Sequence, residues 1–521
     1  MTKSGSSGLL HQRLWSLASS SMEKATALTK KILAKRHKLD QLESILAPTI
    51  ENLPKPSAIT GLEEASLWFV EQLTGTKPIL IFGDYDVDGI SAAAILGRFF
   101  SSLGFSIKTY IPSRLTDGYG LKLATVAKLD VEKYEGILVV DSGTNAHEVH
   151  DYLNGKQIPT LILDHHTAER EPQTSKYVRI VNPRFKNEFY ACSATLAYLF
   201  VSACIGVQKA DDYIGAAAMA SITDSVPICH TNHAIIKYGL PKLNKWVGIH
   251  AMLQSLNIGL ATTEAVGWRV GPRLNAPGRM GDATPALNLL MIADIKQVGE
   301  TLNTLENCNN ERKKLQDKIL KEAAALASLQ ATKGAILVTG DWHIGVLGIV
   351  AAKLTEMFNV PALVATSGSI ANGSGRTPDG YNLIELLNNT GIDRKYFGGH
   401  AGAVGIHIPT DRVDELRAKF QESASSAAPI STKQPIEEMI TTKNINRYEA
   451  YAIECLGPFG DGFEEPVFGI TGIISEENGK LFIEDAQGKC SIVGAIVPSI
   501  TEQTIPVYIR HTYYGTQAVA Q

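Results

Sequence analysis

The chain has few of the features that would place a protein outside the cell or in a membrane. It has six cysteines in 521 residues, and no two are spaced as Cys-x-x-Cys, which argues against a zinc knuckle and against a disulfide framework. No apolar run approaches the ~18 residues that span a bilayer, and the N-terminus lacks the zones of a signal peptide. We therefore expect a cytoplasmic protein with reduced thiols.

An excess of positive charge is also missing. Lys and Arg number 49 against 53 Asp and Glu, which gives a formal net charge of −4. A protein that is basic over its whole surface is excluded, so any polyanion would have to meet a local cationic patch or a metal ion. With 44% hydrophobic and 20% charged residues, the chain should form about three or four globular domains.

Apolar runs divide the chain. Between about residues 77 and 227, short runs that end in polar or acidic residues alternate with helical stretches, which is typical of a parallel sheet. Residues 294–330 are largely polar and contain no proline, which predicts a helix of about 50 Å between two lobes. A helix pair broken near 307–310 is the alternative. A second α/β unit follows to about residue 422, and the short strand-like runs after it suit a small barrel or sandwich.

Acidic residues follow the predicted strands. Asp84, Asp86 and Asp88 stand at alternate positions after the run PILIF, and alternate side chains of an extended chain share a face. Asp141 follows the run GILVV, and the triplet 164–166, Asp-His-His, follows PTLIL. The carboxyl ends of parallel strands meet at one edge of a sheet, where ligands bind. We therefore expect these carboxylates to converge.

A further acid, Asp224, ends the apolar run AMASIT. One acid after an apolar run is uninformative, because aspartate often caps a helix; the ordered set is informative. Clustered carboxylates repel one another, and oxygen-rich sites with one or two imidazoles suit Mn²⁺ or Mg²⁺. Two divalent ions held ~3.5–4 Å apart by bridging carboxylates would neutralise such a cluster. The pattern thus predicts a two-metal site.

The same motifs carry a family resemblance. DYDVDG (84–89), DSG (141–143), DHH (164–166) and Asp224 resemble the four ordered motifs of the DHH phosphoesterase superfamily. Further stretches are similar to those of the RecJ family of single-strand-specific 5′→3′ exonucleases: GPRLNAPGRMGDA (271–283), WHIGVLGIVAAKL (342–354), GSGRTPDGYNLIELL (373–387), FGGHAGAVGIHI (397–408) and LGPFGDGFEEPVF (456–468). The resemblance covers the chain from about residue 60 to 470.

The resemblance implies roles for the acidic motifs. A pair of Mn²⁺ ions, with Mg²⁺ as the alternative, would be bound by Asp86, Asp88, Asp141, His165 and Asp224, with Asp84 as a ligand or a neighbour of one. Asp164 would orient a histidine, and His166 would contact the scissile phosphate. A helix cap or a core histidine is the alternative for each residue taken singly.

The resemblance also implies a nucleic-acid grip in the second lobe. Ser374, Arg376 and His400 would hold the 5′-terminal phosphate, with Gly398, Gly399 and the glycines of GSGR letting the backbone approach it. Arg273, Asn275, Arg279 and Arg312 would line the cleft between the lobes, where interdomain salt bridges are the alternative.

The implied architecture is α/β. It has an N-terminal helical extension (1–60), a parallel-sheet DHH domain (61–292), a long connecting helix (293–330), a DHHA1 domain (331–425) and an OB-like barrel (426–521). The last domain matches the family least, since GDGFEEP replaces Gly-Asn-Pro-Glu-Pro. Its aromatic residues Phe459, Phe463, Tyr508 and Tyr513 are candidates for base stacking or for the core.

The predicted function is a metal-dependent 5′→3′ exonuclease on single-stranded DNA in recombination and repair. The resemblance implies a monomer that works beside a RecQ-type helicase and a single-strand-binding protein. A DHH phosphodiesterase acting on short oligonucleotides or cyclic dinucleotides is the alternative. A non-catalytic RecJ-like scaffold is disfavoured because every ligand position is filled, and a pyrophosphatase is disfavoured by the nucleic-acid-sized second half.

Overall fold

The computed structural model describes most of the chain, namely residues 25–114, 116–118, 120–168, 170, 174–186, 189–427, 434–478, 480–494, 499–512 and 515–520. Three sheets organise these residues. Among the described residues, no helix has both the length and the apolar character that crossing a membrane requires.

The first sheet has five parallel strands in the order β2-β1-β3-β4-β5. Their bounds are Ile79–Phe82 (β1), Ile107–Tyr110 (β2), Gly136–Val140 (β3), Thr160–Leu163 (β4) and Val178–Val181 (β5). Strands β1, β3 and β4 are buried along their whole length, which explains why they read as unbroken apolar runs in the sequence. The predicted parallel α/β domain is confirmed.

Helices cover both faces of this sheet and form the larger of its two cores. In and around this domain they are Ala27–Lys35 (α1), Leu42–Leu46 (α2), Leu62–Glu71 (α3), Val87–Ser102 (α4), Leu123–Val126 (α5), His147–Gly155 (α6), Ser193–Ile205 (α7), Ile214–Thr223 (α8), His230–Gly239 (α9), Val247–Ser255 (α10), Thr263–Ala265 (α11), Gly271–Met280 (α12) and Thr284–Met291 (α13). A π-helical turn, Val266–Val270, precedes α12.

A single unbroken helix, Val298–Ala331 (α14), connects the two lobes. Its 34 residues extend about 50 Å, so the alternative of a helix pair broken near 307–310 is wrong. Val298 and Leu305 pack in the first core, whereas Ile319 and Ala323 pack in the core of the second lobe. The helix thus belongs to both cores and fixes the spacing between them.

The second lobe has a mixed sheet in the order β6-β7-β8-β10-β9, with only β6 and β7 parallel. Its strands are Ile336–Gly340 (β6), Ala362–Thr366 (β7), Ile370–Arg376 (β8), Phe397–His400 (β9) and Ala403–Pro409 (β10). Helices Leu347–Phe358 (α15), Leu383–Asn388 (α16) and Val413–Ser426 (α17) cover it.

The C-terminal strands close into a five-stranded barrel in the order β12-β13-β14-β16-β15, in which β15 also pairs with β12. The strands are Glu438–Ile440 (β11), Phe468–Glu477 (β12), Lys480–Asp485 (β13), Gly488–Val493 (β14), Ser499–Thr512 (β15) and Gly515–Ala520 (β16), and helix Arg447–Glu454 (α18) precedes the barrel. The predicted barrel is confirmed. Leu28 and Ile32 of α1 pack in its core, so the predicted N-terminal extension contributes to the barrel.

Candidate metal centre and interlobe cleft

The carboxyl edge of the first sheet gathers the predicted acidic residues. Asp141 directly follows β3 and Asp164 directly follows β4, and both are buried. Asp141 has φ 62°, in the left-handed region that side chains other than glycine rarely adopt. Backbone strain of this kind concentrates at functional sites.

The three aspartates after β1 converge by a different route from the one predicted. The extended-tail interpretation is wrong, because the strand ends at Phe82 and Asp86 is the N-cap of α4. The Oδ1 atom of Asp86 accepts hydrogen bonds from the backbone N–H groups of Asp88 and Gly89, at 3.0 and 3.2 Å. Aspartate is a strong N-cap, so the chain turns into helix at this point.

A glycine permits this turn. A Cβ at Gly89 would lie 2.5 Å from the backbone nitrogen of Asp84, which no side chain could accommodate. Asp88 lies in the first turn of α4 and accepts hydrogen bonds from the N–H groups of Ser193 and Ala194, at 2.7 and 2.8 Å. The start of α7 therefore fixes this carboxylate.

The side chains form two separate triplets. Asp84, Asp86 and Asp141 make one triplet, and Asp88, His165 and Asp224 make the other. In each triplet the potential ligand atoms lie within 4.8 Å of one another. His165 bridges the two, since its Nε2 is 3.1 Å from Asp141 and 3.6 Å from Asp88. A third grouping joins Asp141, His165 and His166.

The electrostatics of the cluster are unfavourable. Burial and the charge of Asp86 raise the pKa of Asp84 well above its usual range, and burial with Asp88 does the same for the pKa of Asp141. Burial and the neighbouring aspartates raise the pKa of Asp224 to about 8. These carboxyl groups resist ionisation because their burial and mutual repulsion outweigh the positive charge that the protein places near them.

The residues fit divalent cations. Asp84 Oδ1 and Asp224 Oδ2 are buried and have no hydrogen-bond partner among the described residues, although buried polar atoms are nearly always paired. Two carboxylate-rich triplets with one imidazole suit Mn²⁺ or Mg²⁺. The donor set, the orphaned oxygens and the raised pKa values all indicate a site for positive charge.

The carboxylate of Asp164 has hydrogen-bond partners within the protein, unlike the orphaned oxygens of Asp84 and Asp224. It accepts hydrogen bonds from the N–H groups of Thr144 and His165, at 2.9 and 2.8 Å, and contacts Nδ1 of His166 at 2.7 Å. Burial alone would raise the pKa of Asp164, but His166 and Thr144 outweigh it and hold that pKa below its usual range. Although burial opposes it, Asp164 raises the pKa of His166 to about 9.

A small cavity of about 150 Å³ lies beside the acidic cluster and reaches into the second lobe. Its lining combines both lobes: Tyr85, Asp86, Arg114, Asn275, Arg279, Gly348, Ser374 and Arg376. Burial and the nearby Arg114 lower the pKa of Arg376, and the same two causes bring the pKa of Arg279 to about 10. Guanidinium groups that destabilise one another in a buried space are suited to an anion.

The interlobe contact is close. A Cβ at Gly345, just before α15, would lie 1.9 Å from the carbonyl oxygen of Arg279. The side-chain oxygen of Asn275 accepts a hydrogen bond from the N–H of Val87, at 3.0 Å, at the start of α4. Asn275 therefore also positions the first turn of the helix that carries Asp88.

Of the other two predicted arginines, Arg273 contacts the connecting helix and Arg312 belongs to it. Arg273 Nε donates to Glu306 at 2.7 Å, an ion pair of the kind that the alternative foresaw. Arg312 donates to Asn309 and Gln316, at 2.6 and 2.9 Å. Both arginines line a larger cavity that also includes Arg279.

The glycine motifs of the second lobe have mixed roles. Cβ atoms at Gly373 and Gly375 would meet neighbouring strands, at 2.3 Å from Val364 O and 2.4 Å from Leu363. These glycines therefore serve the packing of β8, which lies inside the sheet. An approach of their backbone to a phosphate stays a prediction. Gly398 is exposed with no atom within 4 Å of its ideal Cβ position.

Neighbouring Gly399 has φ 142°, and its Cβ would meet Ala403 O at 2.3 Å. His400 ends β9, and burial together with the positive charges of Arg376, Arg184 and His166 lowers its pKa. Strand β9 thus carries the GGH motif to the cleft between the lobes.

Four residues of the site escaped the sequence analysis. Tyr85 and Arg114 line the small cavity, Tyr190 contacts Nδ1 of His165 at 3.1 Å, and Arg184 lies over the Tyr190 ring at 4.5 Å. Tyr85 lies within the motif DYDVDG and could have been named on that ground. The other three stand alone on connections, where no spacing marks them.

The candidate aromatic residues of the C-terminal domain are mostly internal. Phe463 is buried and stacks on Phe459, with ring centroids 5.7 Å apart. Tyr508 is partly exposed beside Arg510, and Tyr513 lies outside the described residues. The described aromatics therefore favour the core role over base stacking.

Two family models match the chain: the DHH family N-terminal domain at residues 78–224 and the DHHA1 domain at residues 331–426. Among curated relatives, the chain is 30% identical over 423 residues to the single-stranded-DNA-specific exonuclease RecJ of Bacillus subtilis, covering 78% of this chain and 53% of that protein. It is 27% identical over 455 residues to RecJ of Escherichia coli, covering 79% and 78%. The chain spans about half the length of the Bacillus protein.

The fold is also similar to those of solved RecJ structures. The Mn²⁺ complex of RecJ from Thermus thermophilus has a TM-score of 0.78 at 23% identity, covering 94% of this chain and 74% of that one. A second exonuclease RecJ structure, bound to manganese, has a TM-score of 0.61 at 27% identity, covering 73% and 97%. The predicted resemblance is confirmed: the chain carries a DHH domain followed by a DHHA1 domain and is similar to RecJ proteins over most of its length.

Proposed function

Starting from a chain with the DHH and DHHA1 domains, we propose that it is a metal-dependent exonuclease that degrades single-stranded DNA from the 5′ end, in recombination and repair. The observation that carries the proposal is the joint position of two features. A cluster of uncompensated carboxylates and a cavity lined by guanidinium groups share Asp86, at the contact between the lobes.

Two divalent ions, Mn²⁺ first and Mg²⁺ as the alternative, would be held by Asp84, Asp86 and Asp141 on one side and by Asp88, His165 and Asp224 on the other. When bound, such ions activate water and neutralise charge that develops on a phosphodiester. The protein supplies the position of each ligand: α4 holds Asp86 as its N-cap, and the start of α7 holds Asp88.

His166 is the histidine that a substrate can reach. Its side chain is 39% exposed, whereas that of His165 is 5% exposed among the carboxylates. Asp164 holds Nδ1 of His166 and raises its pKa, so we assign His166 a proton-donating contact with a phosphate oxygen. Asp164 is then the positioning residue for this ring.

The small cavity is the proposed site of the 5′-terminal phosphate. Arg279 and Arg376 supply positive charge, and Ser374 supplies a hydroxyl. Gly348 lies in the first turn of the 12-residue helix α15, and its ideal Cβ would be 3.3 Å from Arg376. Helix N-termini favour anions, so the helix and the arginines act together. Holding the strand end there would set the direction of degradation.

Polarity of degradation is the direct test. A single strand labelled at its 5′ end should release labelled mononucleotide at once with Mn²⁺, and a strand labelled at its 3′ end should shorten progressively. EDTA should stop both reactions. Immediate release of the 3′ label with retention of the 5′ label would contradict the proposal.

The same assay addresses the alternative function. Cyclic dinucleotides and dinucleotides, offered beside a strand of about 20 nucleotides, should be hydrolysed far more slowly than the strand. Preference for the small substrates would favour the oligonucleotide phosphodiesterase. The partner helicase, the single-strand-binding protein, the monomeric state, the cytoplasmic location and the domain boundaries stay predictions.

A further inference from the structure

One large aromatic side chain is conspicuously unburied near the candidate active site. Trp268 is 78% exposed, although its neighbours Val266 and Val270 in the same π-helical turn are completely buried. The backbone is therefore anchored in the core while the indole ring faces solvent. Exposing so large an apolar surface is unfavourable, and π-helical turns are frequent at functional sites.

This ring borders the larger interlobe cavity, which has a volume of about 830 Å³. That volume lies within the range of about 300–1,000 Å³ found for small-ligand pockets. Its lining includes four basic residues besides Arg279, namely Arg273, Arg312, Lys313 and Lys353, and the carboxylate of Glu264. An aromatic platform beside clustered cations matches the chemistry of single-stranded nucleic acid, whose bases stack and whose backbone is anionic.

The cavity lies next to the metal centre. Thr223 and Ser225, which flank Asp224, lie in its wall, and Asn275 and Arg279 belong to the walls of both interlobe cavities. The turn that carries Trp268 also packs against this wall, since an ideal Cβ at Gly267 would be in van der Waals contact with Ile222, at 3.7 Å. A strand whose first phosphate is held at Arg376 thus has a cationic path past Asp224 toward Trp268.

We propose that Trp268 is a base-stacking residue, which holds one or more bases on the 3′ side of the scissile phosphate while the cations of the cavity hold the backbone. The inference rests on the proposed function, since it takes single-stranded DNA as the occupant. It adds a residue that neither the sequence motifs nor the metal geometry assigned. Stacking on an unpaired base would also favour single strands over duplex, whose bases are not accessible.

Abasic scanning tests the proposal without cleavage. A 5′-phosphorylated oligothymidylate of about eight nucleotides, and versions with one base removed at each position, would be titrated against the full chain in EDTA. For the wild type, removing the stacked base should weaken binding about tenfold. Trp268→Ala should bind the intact strand about tenfold more weakly and lose that positional sensitivity, while Trp268→Phe, which keeps a ring, should retain most of it.

Fluorescence gives a second readout. Binding of the intact strand should quench part of the tryptophan emission of the wild type and of the control Trp68→Phe, and should quench Trp268→Phe much less. Leu329→Ala, which removes an 81% exposed side chain that is absent from the cavity lining, should bind like the wild type.

An identical abasic profile for Trp268→Ala and the wild type would overturn the stacking assignment. If that variant also degrades single strands normally, the proposed exonuclease function stands and only the stacking role fails. A wild-type chain that neither binds nor degrades single-stranded DNA would overturn both proposals.

Discussion

The cleft between the lobes and the C-terminal barrel differ sharply in charge. The cleft brings several guanidinium and ammonium groups together around two cavities. From residue 434 onward the sequence has twelve acidic residues against five basic ones, and Lys489 and Arg510 are paired with Glu477 and Glu465. A groove that tracks an anionic backbone must be basic, so the architecture of a barrel does not by itself confer a DNA grip.

The C-terminal region contacts the first lobe next to Asp224, the last predicted metal ligand along the chain. The N–H of Ile228, four residues after Asp224, donates to Asp461 O at 2.6 Å. His233 and Lys237 of α9 reach the carbonyl oxygens of Leu456 and Gly457, at 2.8 and 2.7 Å. The cleft is therefore suited to hold an anionic substrate, whereas the C-terminal region supports the loop after α8 and the start of α9.

Removing one carboxylate of the cluster should give the largest effect. Asp141→Asn keeps the size of the side chain and tolerates the left-handed backbone, but it takes away a charged ligand. We expect the rate on single-stranded DNA with Mn²⁺ to fall more than about 100-fold, with affinity for the strand in EDTA within about twofold of the wild type.

The metal-free Asn variant should unfold at the same temperature as the wild type or higher, because it no longer has a buried carboxyl group whose ionisation is opposed by burial and by the neighbouring aspartates. Substantial residual turnover in a folded variant would count against the metal assignment. Loss of DNA affinity would show that the carboxylate cluster itself contributes to strand binding, beside the cationic residues of the cleft.

Removal of a cleft arginine should give the second-largest effect. Arg376→Ala removes charge-assisted hydrogen bonds to the proposed 5′-phosphate, and the preference for 5′-phosphorylated over 5′-hydroxyl strands should fall roughly 10- to 100-fold. Competition binding in EDTA measures it. The matched control is Arg412→Ala, which removes an arginine of the same lobe that pairs with Glu415; equal losses in both variants would sink the assignment.

Removing the contact between Lys237 of α9 and the 455–457 segment should lower the stability of the fold without changing the affinity for DNA. Lys237→Met leaves carbonyl groups of the 455–457 segment without their donor, and we expect a loss of about 1–3 kcal/mol in the free energy of unfolding. Chemical denaturation measures it. The Kd for a strand of about eight nucleotides should change less than about twofold, and a Kd weakened about tenfold would place DNA binding on the barrel side.

The smallest expected effects concern the salt dependence of DNA binding, which should differ between a lysine of the cleft and a lysine of the barrel. Lys313→Ala should lower the slope of log K against log salt by about 0.7, the value expected for one contact to a single strand. Lys489→Ala, on the barrel, should leave the slope unchanged. Binding isotherms at several salt concentrations compare the two, and a larger change for Lys489 would reverse the roles given to cleft and barrel.

Much of the fold could be predicted because buried parallel strands have a strong pattern. The runs before Asp141 and Asp164 are completely buried strands. Because both faces of such a strand are covered, all of its residues are apolar, and the run can be recognised from composition alone. The long helix was predictable from its polar, proline-free sequence. The rule that parallel strands end at one edge of a sheet placed Asp141 and Asp164, and the repulsion between clustered carboxylates together with their ligand chemistry led to the two-metal interpretation.

Other parts depend on tertiary contacts that no local pattern reports. The rule of alternation failed at Asp86, where an N-cap competes with extended chain. Arg114 and Arg184 reach the site from connections, and Trp268 differs from an ordinary core tryptophan only through what surrounds it. The packing role of Gly375 became visible only once β8 lay inside a sheet.

Calorimetry of Mn²⁺ binding at about pH 7, in two buffers with different ionisation enthalpies, tests whether the acidic cluster holds a pair of divalent ions. We expect uptake of two ions per chain with release of protons, because the metal-free cluster holds carboxyl groups whose pKa values are raised, that of Asp224 to about 8. Uptake of no ion, or binding whose heat is the same in both buffers, would contradict it.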